Sequence, residues 1–121
     1  MPSAEEDMDV AIAEEKYERT VTLGYTCLEG FLKAFFRSKF PFDECPNEIT
    51  ALAKQVKEYL KNENPEYPDE LLNLVSQTAH AVNRTRDRFS ESHFGGEAGP
   101  WVAQYVRDIV NTQIRLLLHF I

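Results

Sequence analysis

A chain of 121 residues supplies enough material for one compact domain and argues against two. Its 43% apolar and 12% aromatic content exclude a disordered chain. No apolar run approaches the roughly 20 residues of a membrane span, and Met1-Pro2-Ser3-Ala4-Glu5-Glu6 lacks a basic-then-apolar leader, so a soluble, cytoplasmic protein is expected.

The net charge of −7 is concentrated at the start. Residues 1–18 hold seven acids against Lys16 alone, whereas residues 19–121 hold 13 acids and 12 bases. The acidic segment reads as the solvated start of a first helix, where negative charge suits the helix dipole. That helix is expected from about Ala4 to Ser38, in one run or in two pieces about Gly24. Tyr17, Val21, Tyr25, Leu28, Phe31, Leu32 and Phe35 fall on one side of it. Residues 19–121 then form a single helical domain. Cys27 and Cys45 are far apart, without metal-ligand spacing, and are expected as reduced thiols.

Phe40-Pro41-Phe42-Asp43-Glu44-Cys45-Pro46 ends the first helix, because each proline disfavours helix in the residue before it. Asn47 is the expected N-cap of a second helix carrying Ile49, Leu52, Ala53, Val56, Tyr59 and Leu60. A third helix starts near Pro68 or Asp69 and runs to about Ser90. The glycine-rich Phe94-Gly95-Gly96-Glu97-Ala98-Gly99 breaks the chain before Pro100 opens the last helix. That helix is apolar on two faces, one with Trp101, Tyr105, Ile109, Leu116 and Phe120, the other with Val106, Val110, Ile114, Leu117 and Ile121. Burial on both sides is expected, with Trp101 anchored in the core and one face available to a second subunit. Strand alternation and hairpin turns are missing. The expected fold is all-α, an antiparallel four-helix bundle with short loops.

The third helix contains the residues that point to chemistry. Leu72, Val75, Ala79 and Val82 form an apolar stripe, and Arg86, Phe89 and His93 continue its spacing. Seven residues bring a helix back to within roughly 20° of the same direction, so Arg86 and His93 share a face if the helix persists. Charge at a position that the pattern gives to the core is costly unless paired or used. The alternative is a helix end where the bundle splays and long side chains reach water. Arg84 and Arg88 complete a local basic cluster, Arg88 and Glu91 have ion-pair spacing, and His80 and His119 read as surface residues. Glu29, set in an apolar run, is a candidate partner for Arg86 across the bundle. A phosphate-binding glycine loop, a zinc-ligand cluster and a recognisable nucleophile motif are all missing, so no cofactor or metal is expected.

Arg86-Asp87, five further residues and His93 resemble the arginine-to-histidine signature of the HEPN superfamily. The closest likeness is to the C-terminal domain of bacterial abortive-infection proteins. Thr26-Cys27-Leu28-Glu29-Gly30-Phe31-Leu32-Lys33-Ala34-Phe35 is similar to the first-helix pattern of that family, and the resemblance extends over about residues 20–121. Asp87 stands where asparagine is frequent, and Phe94 where glycine is. The resemblance implies a metal-independent endoribonuclease, often a homodimer whose motifs face each other, acting in phage defence or beside an antitoxin or other partner protein. RNA is then the substrate, with no DNA or membrane partner. Within this reading His93 serves as acid and base, Arg86 holds the phosphate, Asp87 orients or pairs with either, and Arg84 and Arg88 hold flanking phosphates. A catalytically silent dimerisation or partner-binding module is the alternative.

Overall fold

The computed structural model describes residues 4–89 and 98–121, with the backbone alone for Ala4 and Glu5. His93 lies outside the described residues, as do Ser90, Glu91, Phe94, Gly95 and Gly96. All regular structure among the described residues is helical: α1 (Ala4–Ala13), α2 (Tyr17–Lys39), α3 (Ile49–Glu63), α4 (Asp69–Phe89) and α5 (Pro100–Leu118). The chain is an all-α bundle.

The acidic start is a helix of its own. It breaks from α2 at Glu14–Lys16, and Gly24 lies inside α2. Glu15 adopts φ 60°. Lys16 N–H reaches the Ala11 carbonyl at 2.8 Å and Glu15 N–H the Ile12 carbonyl at 3.0 Å, the paired bonds that close a helix through a left-handed residue. Glycine is the usual occupant there, and a side chain in that conformation is strained. Glu15→Gly is therefore expected to stabilise the protein by about 1 kcal/mol, after allowance for the greater freedom of glycine when unfolded. A rise in the urea midpoint would show it. The turn sends α1 back against α2 and α5, where Met8 and Ala11 are buried. Arg107 ties α5 to α1 through Asp9 at 3.2 Å.

α2 crosses the middle of the molecule and contacts every other helix. Its buried row of Val21, Gly24, Leu28, Leu32 and Phe35 follows the apolar periodicity of the sequence. At Gly24 α5 comes close enough that an added Cβ would stand 2.6 Å from the Val106 side chain at Cγ1. α2 ends at Lys39, as the prolines require. α3 begins one residue later than expected, with Glu48 rather than Asn47 at the N-cap and no side-chain cap bond.

Helix directions depart from an antiparallel pattern. Tyr25 and Ile49 border one opening, and Phe35 meets Tyr59 ring to ring at 6.1 Å. Residue numbers thus rise together along α2 and α3, and residues 40–48 form a crossover rather than a short hairpin turn. α4 returns against both helices. Likewise Glu18 accepts the Ala98 N–H at 3.1 Å while Gly24 faces Val106 and Val110, so α2 and α5 also run alike. Gln113, buried in α5, donates to Thr78 Oγ1 of α4 at 3.1 Å.

α5 buries Val102, Ala103, Val106, Val110 and Leu117, and of its other apolar face Ile109, Leu116 and Phe120 are half-buried against the core while the N-terminal pair is not. Trp101 is 71% exposed and Tyr105 61%. The expected core anchor is therefore a surface residue. α5 packs against α1, α2 and α4, and the first turns of its second apolar face, at Trp101 and Tyr105, lie outside those contacts. Neither Cys27 nor Cys45 forms a disulfide.

Candidate functional site

On α4 the apolar stripe ends where its spacing predicts. Leu72, Val75, Ala79 and Val82 are at most 2% exposed, and the next position, Arg86, retains 35% of its side-chain surface. The change marks the edge of the core, where Phe89 still packs half-buried. Beyond it, the last turns of α4, the start of α3 and the middle of α2 enclose an opening of about 260 Å³ lined by Tyr25, Glu48, Ile49, Thr50, Asn83, Arg86 and Asp87.

Arg86 is fixed there from two directions. Its guanidinium carbon stands 3.7 Å from the centre of the Tyr25 ring, close enough for a cation–π contact. Its Nη2 donates to Asn83 Oδ1 and to Asp87 Oδ1, each at 3.3 Å. Both bonds fall on the same nitrogen, and the fork carries three further N–H donors. Asp87 thus pairs with Arg86, one of the two partners considered for it.

Glu29 does not meet Arg86 directly. Tyr25 Oη donates to Glu29 Oε2 at 2.8 Å, and Lys33 reaches Glu29 Oε1 at 3.5 Å. Burial, then the proton shared with Glu29, raises the Tyr25 hydroxyl above its ordinary value of 10.0 despite the nearby Arg86 charge. Tyr25 therefore stays neutral at physiological pH and presents its ring to the guanidinium. Reading Tyr25 only as part of an apolar face missed this link; an arginine at the end of an apolar stripe is the signal that asks for an aromatic opposite.

The opening has mixed electrostatics. Arg86 is its cation, and Ile49 and Thr50 at the start of α3, the positive end of the helix dipole, line it. Glu48 and Asp87 bring carboxylates. An anion held here would be oriented by a fork and a helix start, not drawn in by a broad positive field.

Arg84 and Arg88 are not part of it. Each is two residues from Arg86, a turn of about 200°, and both are exposed on the far side of α4. The Arg88 guanidinium lies 5.8 Å from the ring of its neighbour Phe89. His80, four residues before Arg84, is exposed on that same side. The basic cluster of the sequence is split between two faces. His93 and Glu91 fall outside the described residues, so the second half of the Arg86–His93 pair and the Arg88–Glu91 pair carry no geometry. Among the described residues no group of His, Cys, Asp and Glu is placed to hold a metal, and no helix is long and apolar enough to cross a membrane.

Comparison of the chain with known protein families, with curated proteins and with solved structures found no match.

Proposed function

We propose that the chain is a HEPN-type endoribonuclease, with Arg86 and His93 as its working pair. One observation carries the reading: Arg86, over the Tyr25 ring and hydrogen-bonded to Asn83 and Asp87, faces an open, polar-walled recess.

The chemistry follows from the residue types. RNA carries its own nucleophile, the 2′-hydroxyl, and DNA lacks it. Attack of that oxygen on the adjacent phosphorus breaks the bond to O5′ and leaves a 2′,3′-cyclic phosphate and a 5′-hydroxyl. A proton leaves the 2′-oxygen and another reaches O5′. Histidine is the side chain suited to take the first and return the second, and His93 is cast in that role. Negative charge builds on the phosphate oxygens during the step, and the Arg86 fork supplies fixed donors for it. Asp87 holds the fork in orientation. Arg84 and Arg88, on the far side of α4, would guide RNA only along a second face. The same reading places the protein in the cytoplasm, as a phage-defence or toxin effector held by an antitoxin or other partner protein.

Labelled RNA incubated with the purified chain in excess chelator should give fragments ending in cyclic phosphate, and an all-deoxy strand of the same sequence should remain whole. The His93→Ala protein should cleave at least 100-fold more slowly, the scale expected for loss of acid–base catalysis. Equal cleavage by both proteins would remove the proposal.

A second reading, a catalytically silent interaction module, is favoured by the exposed Trp101 and Tyr105 on α5. It predicts no cleavage at any RNA concentration.

A further inference from the structure

Two pairs of exposed side chains share one face of the molecule, at the end of α4 and the start of α5. Trp101 and Tyr105 stand one turn apart on α5, 71% and 61% exposed. Arg84 and Arg88 stand one turn apart on α4 and are exposed as well. The hydrogen bond from Gln113 to Thr78 fixes the level of these two helices, which run in opposite directions. Counted from that bond along the helices, Arg84 and Arg88 lie about 9 and 15 Å away, and Tyr105 and Trp101 about 12 and 18 Å.

Direction agrees with level. On α4, Arg88 and Arg84 are turned about 80° and 120° from Thr78, away from the buried stripe of Leu72, Val75, Ala79 and Val82. On α5, Tyr105 and Trp101 are turned about 80° and 120° from Gln113, away from buried Val106 and Val110. Both pairs thus leave the α4–α5 contact toward the same outer side. The Arg88 guanidinium lies 5.8 Å from the Phe89 ring. Phe89 points within about 20° of Thr78, so this contact draws the cation toward α5 and its aromatic pair.

Rings with an open face beside cations suit a single strand, whose bases stack while its phosphates take the charge. Rings and cations here form two rows, each with a repeat of about 6 Å. The acid on the same side of α5, Asp108, is paired with Arg107 Nε at 3.0 Å. The acidic α1 packs on another flank, where Asp9 meets Arg107 at 3.2 Å, about 120° round α5 from Trp101.

We infer that this face holds two unpaired nucleotides of a single-stranded RNA, with bases stacked on Trp101 and Tyr105 and phosphates on Arg84 and Arg88. That the strand is RNA rests on the cleavage reading, but the contacts themselves need no cleavage. The opening at Arg86 contains no residue of α5, and Arg86 points about 160° away from Arg88. RNA held here is therefore a stretch remote from the scissile linkage.

Trp101 is the only tryptophan of the chain, so its emission reports on this face directly. The full chain at micromolar concentration would be titrated with a short 2′-O-methyl RNA, whose blocked 2′-oxygen cannot attack. Emission should fall as the strand binds, and a duplex of the same sequence should leave it unchanged. By polarisation of a labelled strand, Trp101→Ala and Tyr105→Ala should each weaken binding about tenfold, the scale of one stacked base. Arg84→Ala and Arg88→Ala should each reduce the slope of log affinity against log salt by about 0.7. Helical circular dichroism should be the same for all four variants. Emission indifferent to the single strand, or a duplex bound as tightly, would overturn the inference and leave this face to a protein partner. Cleavage of unmodified RNA without any change at Trp101 would overturn it while sparing the reading at Arg86. Quenching by the strand without cleavage of unmodified RNA would keep this site and remove that reading.

Discussion

Arg86→Ala should slow RNA cleavage by roughly 100- to 1000-fold, the cost of losing one well-aimed donor group to a developing oxyanion. Folding should hardly change, because Arg86 keeps 35% of its side chain exposed and its stack on Tyr25 contributes only about 0.5–2 kcal/mol. Arg86→Lys keeps the charge but loses the planar fork and the flat stack. It should recover no more than about tenfold of the loss. Tyr25 gives the finer control. Tyr25→Phe keeps the ring beneath the guanidinium and should cleave within about twofold of wild type, whereas Tyr25→Leu removes the platform and should cost about tenfold. Quenched-flow rates on a short RNA with one cleavable linkage would measure the series. A Leu variant equal to the Phe variant would show that the stack does not position Arg86.

Gly24→Val is the substitution expected to harm the fold most for its size. A Cβ at residue 24 would stand 2.6 Å from Val106 Cγ1 and 3.6 Å from both Met8 Sδ and Val110 Cγ2. Val106 is β-branched, buried and restricted at χ1, so it cannot swing aside. α2 and α5 would have to part along their contact. The expected loss is about 3 kcal/mol, at the upper end for overpacking a core, or roughly 10 °C in melting temperature for a domain of this size. Adding Val106→Ala, which removes the opposing Cγ atoms, should return part of the loss. Thermal unfolding followed at the helical band would decide. A melting temperature unchanged by Gly24→Val would mean that α2 and α5 do not approach as described.

The same glycine shows what periodicity can and cannot convey. Gly24 reads as a break within a long helix, since glycine is a poor helix former. Its use is close approach of another helix, which only the partner, Val106, reveals. The true break falls at Glu15, where the turn needs a left-handed residue and the sequence offers no glycine to announce it. Prolines were more legible. Pro41 stops α2 at Lys39, and Pro100 starts α5, because a missing N–H and a fixed φ act locally.

The path of the chain was not written in the pattern. Nothing in Phe40–Glu48 distinguishes a short return from a crossover that lets α3 run alongside α2, since direction depends on which faces meet. Trp101 makes the same point. An apolar pattern on two sides of α5 says that both sides suit burial, but on the second side Ile109, Leu116 and Phe120 reach the core while Trp101 and Tyr105 do not.

At the candidate site, the stripe ending at Arg86 was legible because burial cost and helical spacing act on a single element. Tyr25 and Asn83 were not, although Asn83 is one turn from Arg86. Their part depends on an inter-helix meeting and on which acceptor the fork chooses. The basic run Arg84, Arg86, Arg88 misled for the opposite reason: neighbours in sequence at spacing two are opposed on a helix.

The account turns on Arg86 and His93 acting on one phosphate, and a double-mutant cycle measures that directly. Cleavage of one labelled RNA in chelator would be timed for wild type, Arg86→Ala, His93→Ala and the protein carrying both. Groups that serve one transition state are not additive, so the double variant should be no more than about tenfold slower than the worse single variant. Cleavage by all four proteins at the same rate would contradict the account, leaving α4 as the end of a bundle and nothing more.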